Sequence, residues 1–355
     1  MSETYGVAFV GAGAVVSARH LPGLVASGRG VARAIFDPDR AKAQAVAEEF
    51  SIPRVAESLA EAVEGADVDA VLIASPNSFH RAGAELALAA GKHALCEKPL
   101  ALTLEDARAM VVAAEAAGKI LFTGFHQRFS AEHQAIRRLL EAGVLGDVRA
   151  FHSVVCEPID VIPGGTANYR FSREQGGGLT LMDLGSHRVD QIRALLGEVA
   201  AVRCRTRSVL PTHELDDSVL VELEMQSGAL GTLAFHRFSR GFFSPCTLVG
   251  TRATACFGAA VVNPFQSAPL AVFLEEAPEK ALPRDVLAWT RPDRWWGDSR
   301  PGWVALWPPR VDTFETQWRA FFDAVEGHPP ADAPLGEDGL RALEIVLRAY
   351  ASEAP

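Results

Sequence analysis

The chain has 355 residues, 48% of them hydrophobic and 22% charged, which is enough for two cores and is ordinary globular composition. The net charge of −10 argues against nucleic acid and anionic membrane surfaces as partners, because both reward clustered Lys and Arg. Five scattered cysteines without a CxxC pair argue against a disulfide framework and against a zinc site.

Taken in order, the chain enters a strand almost at once, at Val7 to Val10, with no basic leader or cleavable apolar segment before it. No later run approaches the roughly 18 apolar residues of a membrane span, so a cytoplasmic protein is expected. Strands follow at Val31 to Phe36, Ala70 to Ala74, His93 to Cys96 and Ile120 to Thr123. Between them lie helices at Asp39 to Phe50, His80 to Ala90 and Leu104 to Ala117. Short unbroken apolar strands alternating with helices indicate a parallel sheet covered on both faces. Residues 1–125 are therefore read as an α/β, doubly wound Rossmann domain.

Beyond residue 125 the rhythm changes. A helix at Ala131 to Ala142 leads into segments of period two at Val148 to Val155, Ala200 to Val209, Ser218 to Met225 and Ala229 to Phe235. Such strands predict an antiparallel or mixed sheet with one exposed face, in an α+β domain over residues 126–335. Arg203, Arg205 and Arg207 read as a solvated strand face. One helix, Leu181 to Leu196, interrupts the strands. The stretch Ala268 to Pro309, rich in Pro, Trp and Arg, reads as loop. Helices at Thr313 to Val325 and Glu337 to Tyr350 close the chain, and the last segment, 336–355, is expected to pack back on the Rossmann domain.

The first strand runs into Gly11-Ala12-Gly13-Ala14-Val15-Val16 and then a helix. Gly11 suits the tight turn and Gly13 the close approach of a pyrophosphate. The helix start at Ala14 and Val15 supplies N–H groups and the positive end of the dipole. Val16 stands where glycine or alanine is usual. Asp37 lies 21 residues beyond Val16, close to the roughly 20 expected for a carboxylate that binds both ribose hydroxyls. It favours NAD, with NADP left open by the nearby Arg40.

A second constellation is Asp183, His187 and Asp190, at i, i+4 and i+7 on the Leu181 to Leu196 helix, where α-helical spacing puts all three on one face. The preceding run Gly176 to Gly178 would let a ligand or the chain itself come close to the helix start. Histidine is poised near neutral pH to take a hydroxyl proton, and a neighbouring carboxylate could orient it. Two other readings stay open: Asp183 as a helix cap with His187 and Asp190 on a wet face, and a metal site, although the spacing requires none. Glu97-Lys98-Pro99 follows the strand His93 to Cys96, so Lys98 falls at the carboxyl end of a parallel strand, where it could stabilise a developing alkoxide. Tyr169 is the next candidate base and a substrate contact.

Gly11-x-Gly13, Ser75-Pro76-Asn77, the block Gly91 to Pro99 and Asp183-x-Gly185-x-His187-x-x-Asp190 together resemble the Gfo/Idh/MocA oxidoreductases, over nearly the whole chain. That family takes its name from glucose–fructose oxidoreductase and inositol dehydrogenase. The resemblance implies a Rossmann domain followed by a domain with a largely antiparallel open sheet that serves oligomerisation, so a homodimer or homotetramer is expected. It implies Lys98, Asp183 and His187 as the catalytic group, Asp190 on the substrate, and Ser75, Asn77, Glu97 and Arg128 along the cofactor cleft. The activity implied is NAD(P)-dependent hydride transfer at a hydroxyl or keto carbon of a sugar, cyclitol or sugar-derived substrate. An NAD-dependent glycosidase of the same fold and a non-catalytic NAD-binding sensor are the alternatives. The Trp-rich segment Trp289 to Trp307 departs from the family pattern.

Overall fold

The structure, a computed structural model, describes residues 4–263, 266–291 and 302–353. By packing, the chain divides into two compact units, one of residues 1–129, 166–190 and 311–344, the other of 130–165, 191–310 and 345–355. The first holds strands β1 (Tyr5–Val10), β2 (Gly30–Phe36), β3 (Arg54–Val55), β4 (Ala70–Ile73), β5 (His93–Cys96) and β6 (Leu121–Thr123). They form a six-stranded sheet in the order β3-β2-β1-β4-β5-β6, every pair parallel. All residues of β1 and β4 are buried, as the uninterrupted apolar runs predict for strands covered on both faces. The covering helices are α1 (Leu21–Ser27), α2 (Arg40–Phe50), α3 (Leu59–Val63), α4 (His80–Ala89) and α5 (Leu104–Ala117). Side-chain oxygens of Asp39, Ser58 and Thr103 cap α2, α3 and α5, which sets where those helices begin.

The second unit opens with α6 (Ala131–Glu141) and β7 (Val148–Pro158). Next, α7 (Arg173–Gly176) and the head of α8 (Ser186–Leu196) belong to the first unit. Strands β8 (Val199–Arg207), β9 (Ser218–Met225), β10 (Leu230–His236), β11 (Phe238–Phe243), β12 (Cys246–Gly250), β13 (Ala253–Asn263), β14 (Gln266–Leu274) and β15 (Gly302–Leu306) join β7 in a nine-stranded sheet. Only β7 and β10 pair in parallel; the other pairs are antiparallel. Val219, Val221, Leu223 and Met225 of β9 point inward and their alternates outward, the period-two pattern of a half-buried sheet. Arg203, Arg205 and Arg207 are exposed on β8, with Arg203 opposite Glu222 of β9.

The loop expected at Ala268 to Pro309 is corrected. It contains most of β14, the short helices α9 (Pro278–Ala281) and α10 (Arg284–Leu287), and β15. Pro269, which argues against a strand, sits where the β13–β14 register slips, a position that tolerates its missing N–H. Within the Trp-rich segment, residues 292–301 lie outside the described residues.

The last helices are α11 (Thr313–Val325) and α12 (Gly336–Ala351). Unlike the sequence-based boundaries at 125 and 335, packing assigns residues 166–190 and all of α11 to the first unit. The cause is aromatic. Trp318, Phe321 and Phe322 of α11 are fully buried in one core with Phe9, Leu21 and Leu24, and Tyr5 stacks on Phe322 at 4.8 Å. The head of α12 packs on β6, where a Cβ at Gly339 would lie 2.4 Å from Thr123 Oγ1; α12 after Glu344 belongs to the second unit.

Candidate active site

Parallel register brings one rim of the first sheet to a common level. Val10 pairs with Ile73, Ile73 with Cys96 and Cys96 with Thr123, so the strands end together. Gly11, Ala74, Glu97 and Gly124 come next on their strands. Gly11, Asp37, Ser75, Asn77 and Lys98 follow strand ends at this carboxyl rim, the side on which open α/β sheets bind ligands.

At the dinucleotide turn, Gly11 has φ 105°, and a Cβ there would meet the Ala74 carbonyl oxygen at 2.6 Å, so only glycine fits. A Cβ on Gly13 would meet nothing within 4 Å, which leaves the approach beside it open. Val16 is fully buried and begins a π-helical turn, Val16–His20, ahead of α1. Asp37 closes the turn by accepting from Ala12 N–H at 2.8 Å and Asp39 N–H at 2.9 Å. Each carboxylate oxygen keeps a second lone pair for a ribose hydroxyl. Arg40 is ion-paired with Glu57. Farther along the rim, Ser75 Oγ and Asn77 Oδ1 are buried without a hydrogen-bond partner, while Asn77 Nδ2 donates to the Gly176 carbonyl at 3.0 Å. Two orphaned buried oxygens beside an open glycine turn fit the polar nicotinamide end of a dinucleotide. Replacing Asp37 with Ser is expected to weaken NAD binding by about tenfold or more, from loss of charge-assisted hydrogen bonds, and to narrow the NAD–NADP gap. Titration with both nucleotides checks this, and NADP binding as tightly as NAD to the unaltered protein would refute it.

Glu97 is buried and ionised. Burial alone would raise its pKa, but the His20 hydrogen bond at 2.8 Å and the charges of His20, Lys98 and His126 hold it down to about 2. Lys98 Nζ donates to the Asp183 main-chain oxygen at 2.9 Å and to its Oδ1 at 2.5 Å, while Arg170 Nε lies 3.3 Å from Oδ2. Arg170 also stands over the Tyr169 ring at 4.9 Å, and burial, opposed by the Arg170 charge, pushes the Tyr169 phenol up to about 12. His187 is 7% exposed. Burial, then the neighbouring Lys98 charge, holds its ring neutral well below the ordinary histidine range, and its Nδ1 has no hydrogen-bond partner.

Two expectations change here. Leu181–Gly185 is a π-turn, so the α-helical spacing read from Asp183 to Asp190 does not hold through its first part. Asp183 directs its two oxygens at the cations Lys98 and Arg170 rather than serving only to orient His187. Neither His187 nor Asp190 lies on a wet face. Asp190 has no exposed surface and both its oxygens accept from Arg128, Oδ2 from Nε at 2.7 Å and Oδ1 from Nη2 at 2.5 Å. Arg128 donates further to the Asp332 carbonyl and to Asp338. The glycine run serves the chain itself, since a Cβ on Gly176 would sit 3.0 Å from the backbone of Tyr169 and Arg170.

Sequence reasoning missed His20, His126 and Arg170. His20 lies in the π-turn and joins Glu97; its contacts with Phe314 and Trp318 span some 300 residues. His126 follows β6 and faces His187 with ring centroids 5.0 Å apart. A polar residue just past each strand end is the one signal that could have found His126.

Fold and site define a nicotinamide-nucleotide dehydrogenase. The model of the oxidoreductase family GFO/IDH/MocA with NAD-binding Rossmann fold matches residues 5–125, and that of the GFO/IDH/MocA C-terminal domain matches 133–256. A 1,5-anhydro-D-fructose reductase from Ensifer adhaerens is 32% identical over 311 residues, which is 85% of this chain and 83% of the relative. A myo-inositol 2-dehydrogenase from Thermotoga maritima is 30% identical over 208 residues, 56% of this chain and 59% of the relative. In fold, a solved levoglucosan dehydrogenase in complex with NADH and levoglucosan superposes with a TM-score of 0.81 at 22% identity, covering 99% of this chain and 97% of that one. The chain belongs to the GFO/IDH/MocA oxidoreductase family, and its cofactor is NAD.

Proposed function

We propose that the protein interconverts a secondary hydroxyl and the corresponding ketone on a sugar, cyclitol or sugar-derived acid. The observation that carries this reading is the 2.5 Å contact of Lys98 with Asp183, beside a buried neutral His187 at the carboxyl rim. Bound NAD(H) would supply the hydride acceptor for oxidation and the hydride donor for reduction. Gly11, Gly13, Ala14 and Val15 would hold its pyrophosphate, Asp37 its ribose, and Ser75, Asn77 and Glu97 its nicotinamide end. Lys98 Nζ has three donors, of which Asp183 takes two. The third is available for the substrate oxygen, where it offsets negative charge as the hydroxyl proton leaves. His187 takes that proton. Asp183 fixes the Lys98 ammonium, and the Tyr169 phenol, protonated at all working pH, hydrogen-bonds a substrate hydroxyl. Arg128 and Asp190 brace the helix that carries His187 rather than touching cofactor or substrate.

A screen of sugars, inositols and their acids with NAD, read by NADH absorbance, tests the reading. Stoichiometric NADH from a polyol supports it. Turnover of a glycoside without net NADH would replace it with an oxidise–eliminate–restore glycosidase. NAD binding with no turnover of any member would leave a sensor.

The partner proposed for the second unit is another copy of the chain. Phe273 and Trp303 meet edge-on at 5.7 Å on neighbouring strands and are 39% and 41% exposed, an apolar pair that a homodimer or homotetramer would cover. Light scattering should give a dimer or tetramer; a monomer at every concentration would overturn the proposal. A cytoplasmic location accords with five free cysteines and with the finding that, among the described residues, no helix is long and apolar enough to cross a membrane.

A further inference from the structure

The proposed chemistry leaves a proton on a ring with almost no access to water. His187 is 7% exposed and its Nδ1 is enclosed without a hydrogen-bond partner. The ring meets Phe125, which has no titratable proton, with centroids 6.0 Å apart. The ring also meets His126, edge-on at 5.0 Å and 79°. His126 is only half-buried. Its Nδ1 lies 3.1 Å from Thr313 Oγ1, and its ring lies flat on Phe314 at 4.4 Å, so its orientation is held from two sides.

We infer that His126 is the proton outlet of the site: it takes from His187 the proton removed from the substrate hydroxyl and hands it to bulk water. In the oxidative direction the substrate O–H bond breaks and the proton binds the free nitrogen of neutral His187. The N–H on the other nitrogen then breaks, and its proton passes through one internal water to the lone-pair nitrogen of His126. His126 releases a proton to solvent, and both rings end neutral. Reduction runs the same transfers backwards, so no further reactant is needed.

The surroundings suit a relay rather than a trap. The charged and titratable groups bearing on His126 are Glu97, Lys98, His20 and Arg19. Burial is the largest influence and lowers the pKa; Glu97 opposes it, Lys98, His20 and Arg19 add to it, and the ring is held down to about 4. A proton on His126 also disfavours one on His187. A transferred proton therefore cannot rest on both rings, and near neutral pH it is driven onward. Thr313 supplies a rotating hydroxyl that can either accept from or donate to Nδ1.

The inference rests on the dehydrogenase reading, so its test has an arm that needs no turnover. Histidine titrations are followed by NMR on the NADH-bound full chain. His126→Asn should raise the pKa of His187, because it removes a charge that disfavours a proton there. Independent titration of the two rings would overturn the relay whatever the enzyme does. The second arm uses a polyol found to produce NADH. His126→Asn should lower kcat by about 10²-fold in dilute buffer, with NADH affinity unchanged, and added imidazole should restore much of the loss. An unchanged kcat, or a loss that imidazole does not repair, would overturn the relay. His126→Gln replaces the Asn variant if that protein fails to bind NADH. If the unaltered protein makes NADH from no polyol, the dehydrogenase reading fails while the titration arm still decides the coupling.

Discussion

Replacing Lys98 with Met is expected to lower turnover by about 10²–10⁴-fold while the protein still binds NADH. Met keeps the apolar stem and removes the ammonium, so the substrate oxygen loses its donor. Asp183 is then left with Arg170, 3.3 Å from its far oxygen, in place of two flanking cations. Lys98→Arg should not restore the rate, because a planar fork cannot reproduce three tetrahedral donors at a 2.5 Å contact. His187→Ala should fall in the same range. Steady-state kinetics and NADH titration of each variant separate the cases. Loss of NADH binding by an intact Lys98→Met protein would make Lys98 a cofactor ligand before a catalyst. Near-normal turnover by His187→Ala would move the base elsewhere. Tyr169 would be a poor substitute, its phenol having been pushed up to about 12.

Arg128→Met is expected to destabilise the protein by about 3–5 kcal/mol, the range for removing one partner of a buried ion pair. Arg128 is 3% exposed, and Asp190, with no exposure, receives two of its hydrogen bonds. The substitution takes that cation away from a buried carboxylate and also frees the Asp332 carbonyl and Asp338 from it. The double variant Arg128→Met with Asp190→Leu should lose less than the sum of the single changes, because both buried charges are then gone. Urea midpoints measure both effects. An unchanged midpoint for Arg128→Met would return Arg128 to the cofactor cleft as a ligand.

What the residues alone determine about this protein is its local order. The apolar runs at β1, β4 and β5, the Gly11 turn and the Lys98 strand end were all legible, because each follows from chemistry within a few residues. The second sheet was legible as a class, through the period-two faces of strands such as β9, but β14 was hidden by Pro269. Only the tertiary structure decided who meets whom. Period and spacing fix the face a side chain leaves from, not what comes to meet it. Thus Asp190 lies three residues beyond His187 and yet turns to Arg128, while Asp183 is matched with Lys98 from 85 positions away. The π-turn at Leu181–Gly185 changed the helical phase on which the single-face reading depended. Trp318 and Phe322, some 300 residues from Phe9, complete the core under the dinucleotide turn, and Phe314 and Thr313 on the same helix bring His126 to His187. Packing of α11 is a long-range burial of aromatic surface, and no pattern within a short window of sequence encodes which distant strand it will cover.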